Sequence, residues 1–336
     1  MVQSIVFTGR RVAELRMTPA RSPETGEVAI RSLVSLISTG TESTVFARRF
    51  DSGTHWDRWV QYPFLPGYST VGVVEALGAG VTSLRVGERV VCRCPHASGH
   101  TLPEVECAPV PEGVSTEDAA WFALAKIAFV GMLAAKIQLG ERVVVIGAGP
   151  IGQMVTRWCA AVAAGDVVVV DPTPARLRLA EAGGATAILN GPVGEQQEEI
   201  VLALRGERPD VVIDATGNAA VFSDALRACG DFGRVVLLGD PGSPASQRLT
   251  PDALTRGLTI IGAHDAHTRR DAQRWDHDRE IFQLFFRLVL SGRFPLDGLL
   301  NRRYLPERAQ EAYDSLEDHR EGTMGVVFDW AAATAP

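Results

Sequence analysis

The sequence predicts an α/β protein in two parts: a doubly wound parallel sheet in the middle of the chain, and a small irregular β-barrel built from its start and end. Three observations predict this. The glycine-rich stretch Gly147-Ala148-Gly149-Pro150-Ile151-Gly152 sits between the β-branched run Val143–Ile146 and an apolar segment able to form a helix. From about residue 142, strand patterns alternate with helical ones, the strands falling at 142–147, 166–171, 185–189, 210–214, 233–238 and 258–262. Strands alternating with helices imply parallel crossovers and a doubly wound sheet. Residues 1–118 follow another rhythm, with short β-branched runs separated by Gly and Pro turns.

In chain order, Glu27–Val34 and Gly72–Gly78 read as barrel strands. The apolar stretch Trp121–Ile137 is too short to cross a membrane comfortably, carries Lys126 and Lys136, and leads into the first parallel strand. It reads as a buried helix. After the last parallel strand come an amphipathic helix near 271–291, a helix near 306–317, and the closing strand Gly325-Val326-Val327-Phe328-Asp329. The expected division is a barrel domain from 1–122 and 266–336, with a dinucleotide-binding domain from 123–265 inserted in it.

Composition narrows the function classes. A chain of 336 residues, 46% hydrophobic, suffices for two buried cores. A net charge of −7 argues against nucleic acid or an acidic membrane surface as the main partner. The start, Met1-Val2-Gln3-Ser4-Ile5-Val6-Phe7, has no basic segment followed by a long apolar core, so no secretory signal is evident. Five irregularly spaced cysteines fit a reduced, cytoplasmic protein better than a disulfide framework. The expected partner is a small-molecule substrate. Assembly is expected as a homodimer through the parallel-sheet domain, or as a higher homo-oligomer.

The glycine stretch carries the clearest chemistry. Gly147 permits a tight turn out of the strand, Gly149 lets the backbone approach a pyrophosphate, and Gly152 lets the helix pack close to the sheet. Pro150 and Ile151 begin the helix, whose N-terminal N–H groups favour phosphate. Asp171 ends the next β-branched run at the spacing of a ribose-binding carboxylate. It would repel a 2′-phosphate, and Pro172, Thr173, Pro174 and Ala175 include no cation to neutralise one. NAD is therefore expected over NADP. Arg176 comes where it could reach the ribose or adenine edge, or could stand in solvent. Asp214-Ala215-Thr216-Gly217 and Leu238-Gly239-Asp240 end the fourth and fifth strands, so Thr216 and Gly239 should line the same crevice.

Gly40-Thr41-Glu42, Pro66-Gly67-Tyr68-Ser69-Thr70-Val71-Gly72, Val86-Gly87-Glu88-Arg89-Val90, Pro111-Glu112-Gly113-Val114-Ser115 and the Gly147–Gly152 loop resemble the medium-chain dehydrogenase/reductase superfamily over nearly the whole chain. The resemblance implies a GroES-like β-barrel catalytic domain and a Rossmann domain. Ile37–Glu42, Tyr62–Tyr68 and Phe328-Asp329-Trp330 look like the bacteriochlorophyllide a dehydrogenase subgroup within it. Zinc members of the superfamily carry Cys where this chain has Thr39, and His-Glu where it has Tyr68-Ser69; their last ligand falls near Phe122. None of these supplies a good zinc ligand, so no metal is expected. Cys92 and Cys94 with His96, His100 and Cys107 make a second metal site conceivable, but read more simply as a strand and loop with small cysteines.

Without zinc, some other group must take the hydroxyl proton or stabilise an alkoxide, for which one well-placed donor supplies about 3 kcal/mol. Lys126 is the leading expectation. It and Lys136 are the only lysines in a chain that otherwise uses arginine, and the resemblance places it facing the nicotinamide. Burial beside a cofactor would depress its pKa and make it an acid/base; otherwise it is a lysine snorkelling from a buried helix. Thr41 matches the hydroxyl that relays the substrate proton in zinc members, or is a turn residue bonding its own backbone. His96 follows the strand leading into the substrate pocket of related proteins. Tyr68 either fills the space left by zinc or points at substrate. His264 follows the last parallel strand, and His267 reads as solvated.

The leading expectation is an NAD-dependent dehydrogenase interconverting a secondary alcohol and a ketone on a polar molecule such as a cyclitol, sugar or natural-product intermediate. A zinc-free quinone or enoyl reductase is the second reading, weakened by Asp171 because such enzymes usually prefer NADPH. A non-catalytic nucleotide-binding partner protein is the third.

Overall fold

Runs of β-branched residues with both neighbours apolar form the parallel strands, because a strand covered by helices on both faces has no polar side. The computed structural model of the protein describes residues 1–266, 278–318 and 320–333. The chain divides into two compact units, one from 1–123, 282–290 and 299–336 and the other from 124–281 and 291–298. Among the described residues, the second unit holds one six-stranded sheet of β8 (Arg142–Ile146), β9 (Asp166–Asp171), β10 (Ala187–Asn190), β11 (Val211–Asp214), β12 (Arg234–Leu237) and β13 (Thr259–Gly262). The spatial order is β10-β9-β8-β11-β12-β13, and every pairing is parallel. The order reverses direction between β8 and β11, so the crevice of the doubly wound sheet opens beyond their C-terminal ends.

Helices α4 (Phe122–Ala135), α5 (Pro150–Ala161), α6 (Pro174–Ala182), α7 (Gln197–Ala203), α8 (Val221–Ala228) and α9 (Asp252–Thr255) alternate with these strands. One face of the sheet is packed through Val144, Val168, Val212 and Val235 against Ile200, Phe222 and Leu226. Burying each such side chain contributes about 1.5–3 kcal/mol. Strand β10 starts two residues later than the expected 185. Gly183, Gly184 and Ala185 instead bond back to carbonyls of Leu179, Ala180 and Glu181, finishing α6.

The first unit begins with the hairpin β1 (Val2–Gly9) and β2 (Val12–Thr18). Its larger sheet runs β14 (Leu300–Tyr304), β15 (Gly325–Asp329), β3 (Glu27–Ile37), β4 (Thr70–Leu77), β5 (Arg89–Cys92) and β7 (Cys107–Pro109), with β6 (Gly99–Pro103) added to β3. The eleven-residue β3 is its spine, pairing with β4, β6 and β15. Helix α1 (Thr39–Ala47) follows β3 directly; the shorter α2 (His55–Trp59) and α3 (Thr116–Ala119) lie further along. An aromatic core of Phe7, Phe46, Tyr313, Phe328 and Trp330 fills this unit.

The late helices are α10 (Asp278–Leu290), α11 (Ala309–Asp318) and α12 (Trp330–Ala333). The expected start of α10 at 271 lies outside the described residues, as does His267. Pro306–Arg308 form a separate 3-10 turn, so α11 proper begins at Ala309. The expected single return to the first domain after 265 is replaced by two, because 291–298 stays with the second unit. No described helix is long and apolar enough to cross a membrane. All five cysteines are free thiols and buried.

Candidate functional site

In the second unit, the loop after β8 shows a different reason for each glycine. Gly147 has φ +92°, and a Cβ there would also approach Thr216 Cγ2 at 2.8 Å. Gly152 lies in α5, where a Cβ would stand 1.8 Å from the Gly147 carbonyl oxygen. At Gly149, the N-cap of α5, a Cβ would meet nothing within 4 Å. That open space over the backbone is what a pyrophosphate needs. Pro150 opens α5, and the first-turn N–H groups of Ile151 and Gly152 have no carbonyl one turn back to bond.

Asp171, 5% exposed at the end of β9, reaches back to this loop. Its Oδ2 accepts from Ala148 N at 2.7 Å and its Oδ1 from Thr173 N at 2.8 Å. Each carboxylate oxygen keeps a second lone pair for a ribose hydroxyl. Arg176 lies half-buried in the first turn of α6. Across the sheet reversal, Thr216 donates to Asp214 Oδ1 through its N–H (2.9 Å) and hydroxyl (2.6 Å). Burial pushes the Asp214 carboxyl up, with the Thr216 bonds opposing it. A Cβ at Gly239 would fall 2.2 Å from Gly217 N and 2.9 Å from Thr216 N. Gly147, Gly149, Gly152, Asp171, Thr216 and Gly239 thus lie at the C-terminal end of the sheet, where its strands pass into the loops and helices that follow, and the cradle fits a dinucleotide.

The first unit gathers hydroxyls at the start of α1. Ser38 is the N-cap, yet its side chain caps nothing; its Oγ accepts a short hydrogen bond from the Tyr68 hydroxyl. Thr41 Oγ1 lies 3.5 Å from the same phenol oxygen. Desolvation by burial pushes the Tyr68 phenol up, so it stays protonated and available as a donor. The Arg93 guanidinium lies 5.2 Å from the centre of the Tyr68 ring. Thr41 and Tyr68 border a small cavity of about 20 Å³, walled by Val45, Trp59, Phe64 and Leu65. Ser69, fully buried, donates to Ala120 O at 2.6 Å.

Two expected catalytic residues, His96 and Lys126, are engaged by protein partners. His96 is fully buried; its Nδ1 lies 2.7 Å from Ser35 Oγ and its Nε2 2.9 Å from Glu42 Oε2. Its ring also occupies the space a Cβ at Gly67 would need. Both ring nitrogens are thus engaged inside the core. Glu42 completes that network, accepting from Ser38 N at 2.7 Å and from the Tyr313 hydroxyl at 2.6 Å.

Lys126 is buried on α4 but held by partners. Its Nζ donates to Asp265 O at 2.9 Å and pairs with Asp265 Oδ1 at 2.5 Å and Asp278 Oδ2 at 3.3 Å. The amine is thus engaged by one carbonyl and two carboxylates of its own unit. His264 is exposed, its Nδ1 accepting from Ala266 N at 3.1 Å.

A catalytic zinc needs converging N, S or O ligands. Thr39 is the first residue of α1, and Phe122 is fully buried edge-on against Phe282. Among the described residues, no group of three or more His, Cys, Asp or Glu could hold a metal ion. Cys92 pairs in register with Cys107, and a Cys94 hydrogen bond together with burial pushes its thiol up, which keeps it an inert core thiol. The donor set does not fit zinc.

Ser38, Glu42 and Gln153 were not singled out by the sequence reading. The Ser38–Glu42 contact resembles a capping box, but its spacing is one residue too long for that signature.

Residues 26–145 match the family model of the alcohol dehydrogenase GroES-like domain, and residues 150–275 that of zinc-binding dehydrogenases. The chain is 27% identical to an L-threonine 3-dehydrogenase of Stenotrophomonas maltophilia, over 94% of this chain and 96% of the relative. A zinc-binding-dehydrogenase-type protein of Sinorhizobium meliloti 1021, solved bound to NADP, superposes with a TM-score of 0.81 at 20% identity, covering 98% of this chain and 99% of that one. The short chain alcohol dehydrogenase of Escherichia coli CFT073, solved with NADH, gives 0.78 at 20% identity with the same coverage. With one family model on its barrel part and another on its nucleotide-fold part, the chain belongs to the medium-chain dehydrogenase/reductase superfamily and is an oxidoreductase of the alcohol dehydrogenase type.

Proposed function

We propose that the protein is a zinc-independent, NAD-dependent dehydrogenase interconverting a secondary alcohol and a ketone on a polar small molecule. The observation that carries this reading is the Asp171 carboxylate, bonded to the backbone of the glycine loop itself. A fixed negative charge there favours ribose hydroxyls, which donate, over a 2′-phosphate, which is repelled. Pro172 to Ala175 provide no cation to reverse that preference.

When bound, the nicotinamide supplies the hydride acceptor or donor. The chain's own task is the hydroxyl proton. Tyr68 is a protonated phenol with its O–H directed at Ser38 Oγ and with Thr41 beside it. In the reducing direction Tyr68 would donate to the carbonyl oxygen. In the oxidising direction each of the Thr41, Tyr68 and Ser38 hydroxyls would accept a proton as it gives up its own, and the displaced proton would leave to bulk water; in the reducing direction the same path would return a proton from water to Tyr68. A substrate rich in hydroxyls suits the polar groups, and the threonine dehydrogenase relative acts, by its name, on a polar alcohol. The absence of zinc ligands at Thr39, Tyr68 and Phe122 supports a metal-free proton path.

Two measurements test this. Secondary alcohols screened with NAD should raise NADH absorbance, and the protein should bind NADH more tightly than NADPH. Asp171→Ser combined with Pro172→Arg should narrow or reverse that preference. Tighter binding of NADPH by the unmodified protein would overturn the reading of Asp171.

A further inference from the structure

Gln153 is fully buried in α5, one residue beyond the last glycine of the loop. A buried amide is tolerated only when its donors and acceptor are satisfied, and this one is. Its Nε2 donates to Ala148 O at 3.0 Å and to Arg176 O at 2.8 Å. Its Oε1 accepts from Arg157 Nη1 at 2.9 Å. Arg157 is itself fixed, donating also to Gln153 O at 3.1 Å, to Leu179 O at 3.2 Å and, by a short bond, to Pro295 O. Gly183 leaves it room, since a Cβ there would lie 2.4 Å from Nη1.

The two carbonyls that Gln153 joins belong to the two halves of the nucleotide cradle. Ala148 lies in the glycine loop, and Arg176 lies in the first turn of the helix after Asp171. Asp171 joins the same two halves from the other side, through Ala148 N and Thr173 N. The two peptide groups that flank Ala148 are therefore both clamped, the N–H of one by Asp171 and the C=O of the other by Gln153. The bonds close into a ring running Ala148, Asp171, Thr173, Arg176, Gln153 and back.

We propose that Gln153 is a specificity-determining positioning residue: it sets the separation between the loop that takes the pyrophosphate and the carboxylate that reads the ribose. The inference rests on the nucleotide reading given under Proposed function. Only an amide meets the need, with two donors for two carbonyls and one acceptor for a guanidinium. Glutamate would set a carboxylate against both carbonyls, and methionine would fill the volume while leaving both without their donor.

The test is titration calorimetry of the wild type, Gln153→Met and Gln153→Glu with NADH, NADPH, ADP-ribose and adenosine, each protein first checked by thermal melting without ligand. ADP-ribose engages both halves of the cradle, adenosine only the ribose-reading half. Both variants should lose roughly tenfold or more in affinity for NADH and ADP-ribose, while adenosine changes by less than about threefold. The preference for NADH over NADPH should shrink in parallel. If Gln153→Met does not fold, Gln153→Glu decides alone, because it keeps the volume and the pairing with Arg157. Equal losses for ADP-ribose and adenosine, or no loss for either, overturn the role of Gln153 while leaving Asp171 untouched. A wild type that binds no nucleotide overturns the cradle reading, and this inference with it.

Discussion

At the scale of single residues, the site divides into what the chain states locally and what only folding assembles. Gly147, Gly149, Gly152 and Asp171 were legible because the glycine loop is a short-range signal and the carboxylate follows at a characteristic spacing. The partners of Lys126 were not legible, because its rarity in an arginine-rich chain says nothing of what it meets. Asp265 lies 139 residues away, and its approach could not be foreseen. Tyr68 and Ser38 are separated by 30 residues and meet where Leu36 N, near the end of β3, donates to Ser69 O. Paired predictions separate the two roles. Tyr68→Phe should lower turnover roughly 100-fold, as expected for losing a general acid/base, with NADH affinity unchanged. Lys126→Met should instead lower stability, since removing one partner of a buried pair costs about 3–5 kcal/mol. The lower end applies, because the Asp278 side chain is 40% exposed. Urea denaturation and steady-state rates at a permissive temperature measure both. A stable Lys126→Met protein with a collapsed rate would restore the lysine as the acid/base.

At the scale of elements, the parallel strands were legible almost to the residue, because runs such as Val167–Val170 carry their burial in their composition. The barrel was legible as a class but not in its pairing. β3 takes partners from β4, β6 and β15, and nothing local announces that Glu27–Arg31 faces β6 while Val34–Ile37 faces β15. The β3–β6 register half-buries a titratable group: His100, opposite Ile30, has its Nε2 sealed from solvent with no hydrogen-bond partner. Desolvation, with a smaller contribution from His96, pulls its pKa from 6.5 down to about 4. The imidazole is neutral when folded but binds a proton when unfolded between those values. Acidification from pH 6.5 to 4 therefore favours the unfolded chain, by about 3 kcal/mol at about 1.36 kcal/mol per unit. Above pH 6.5 neither state is protonated and the effect vanishes. Denaturation midpoints measured across this window should fall on acidification for the wild type, and less steeply for His100→Gln. Parallel curves for the two proteins would mean that His100 titrates as it does in the unfolded chain.

At the scale of the whole molecule, the sequence showed that a β-rich start and end enclose a parallel-sheet middle, but not where the second unit ends. The strand pattern stops at β13, whereas 291–298 also belongs to that unit. Phe294 packs edge-on to Trp158 at 4.9 Å, and Pro295 O accepts from Arg157. Such contacts leave no periodic trace. The same limit governs the metal question, since membership of a family whose model is described as zinc-binding brings an expectation that no cluster among the described residues meets. Zinc bound by a folded protein stabilises it by mass action and is lost to chelators, and a catalytic zinc takes activity with it. In this chain, Thr39 opens a helix, Tyr68 hydrogen-bonds Ser38, and Phe122 is sealed against Phe282. Elemental analysis of the purified protein should therefore find zinc well below stoichiometric. EDTA should leave both melting temperature and turnover unchanged, and added zinc should restore nothing to Tyr68→Phe. Stoichiometric zinc together with chelator-sensitive turnover would place the metal back in the reaction and remove the proton relay from Tyr68.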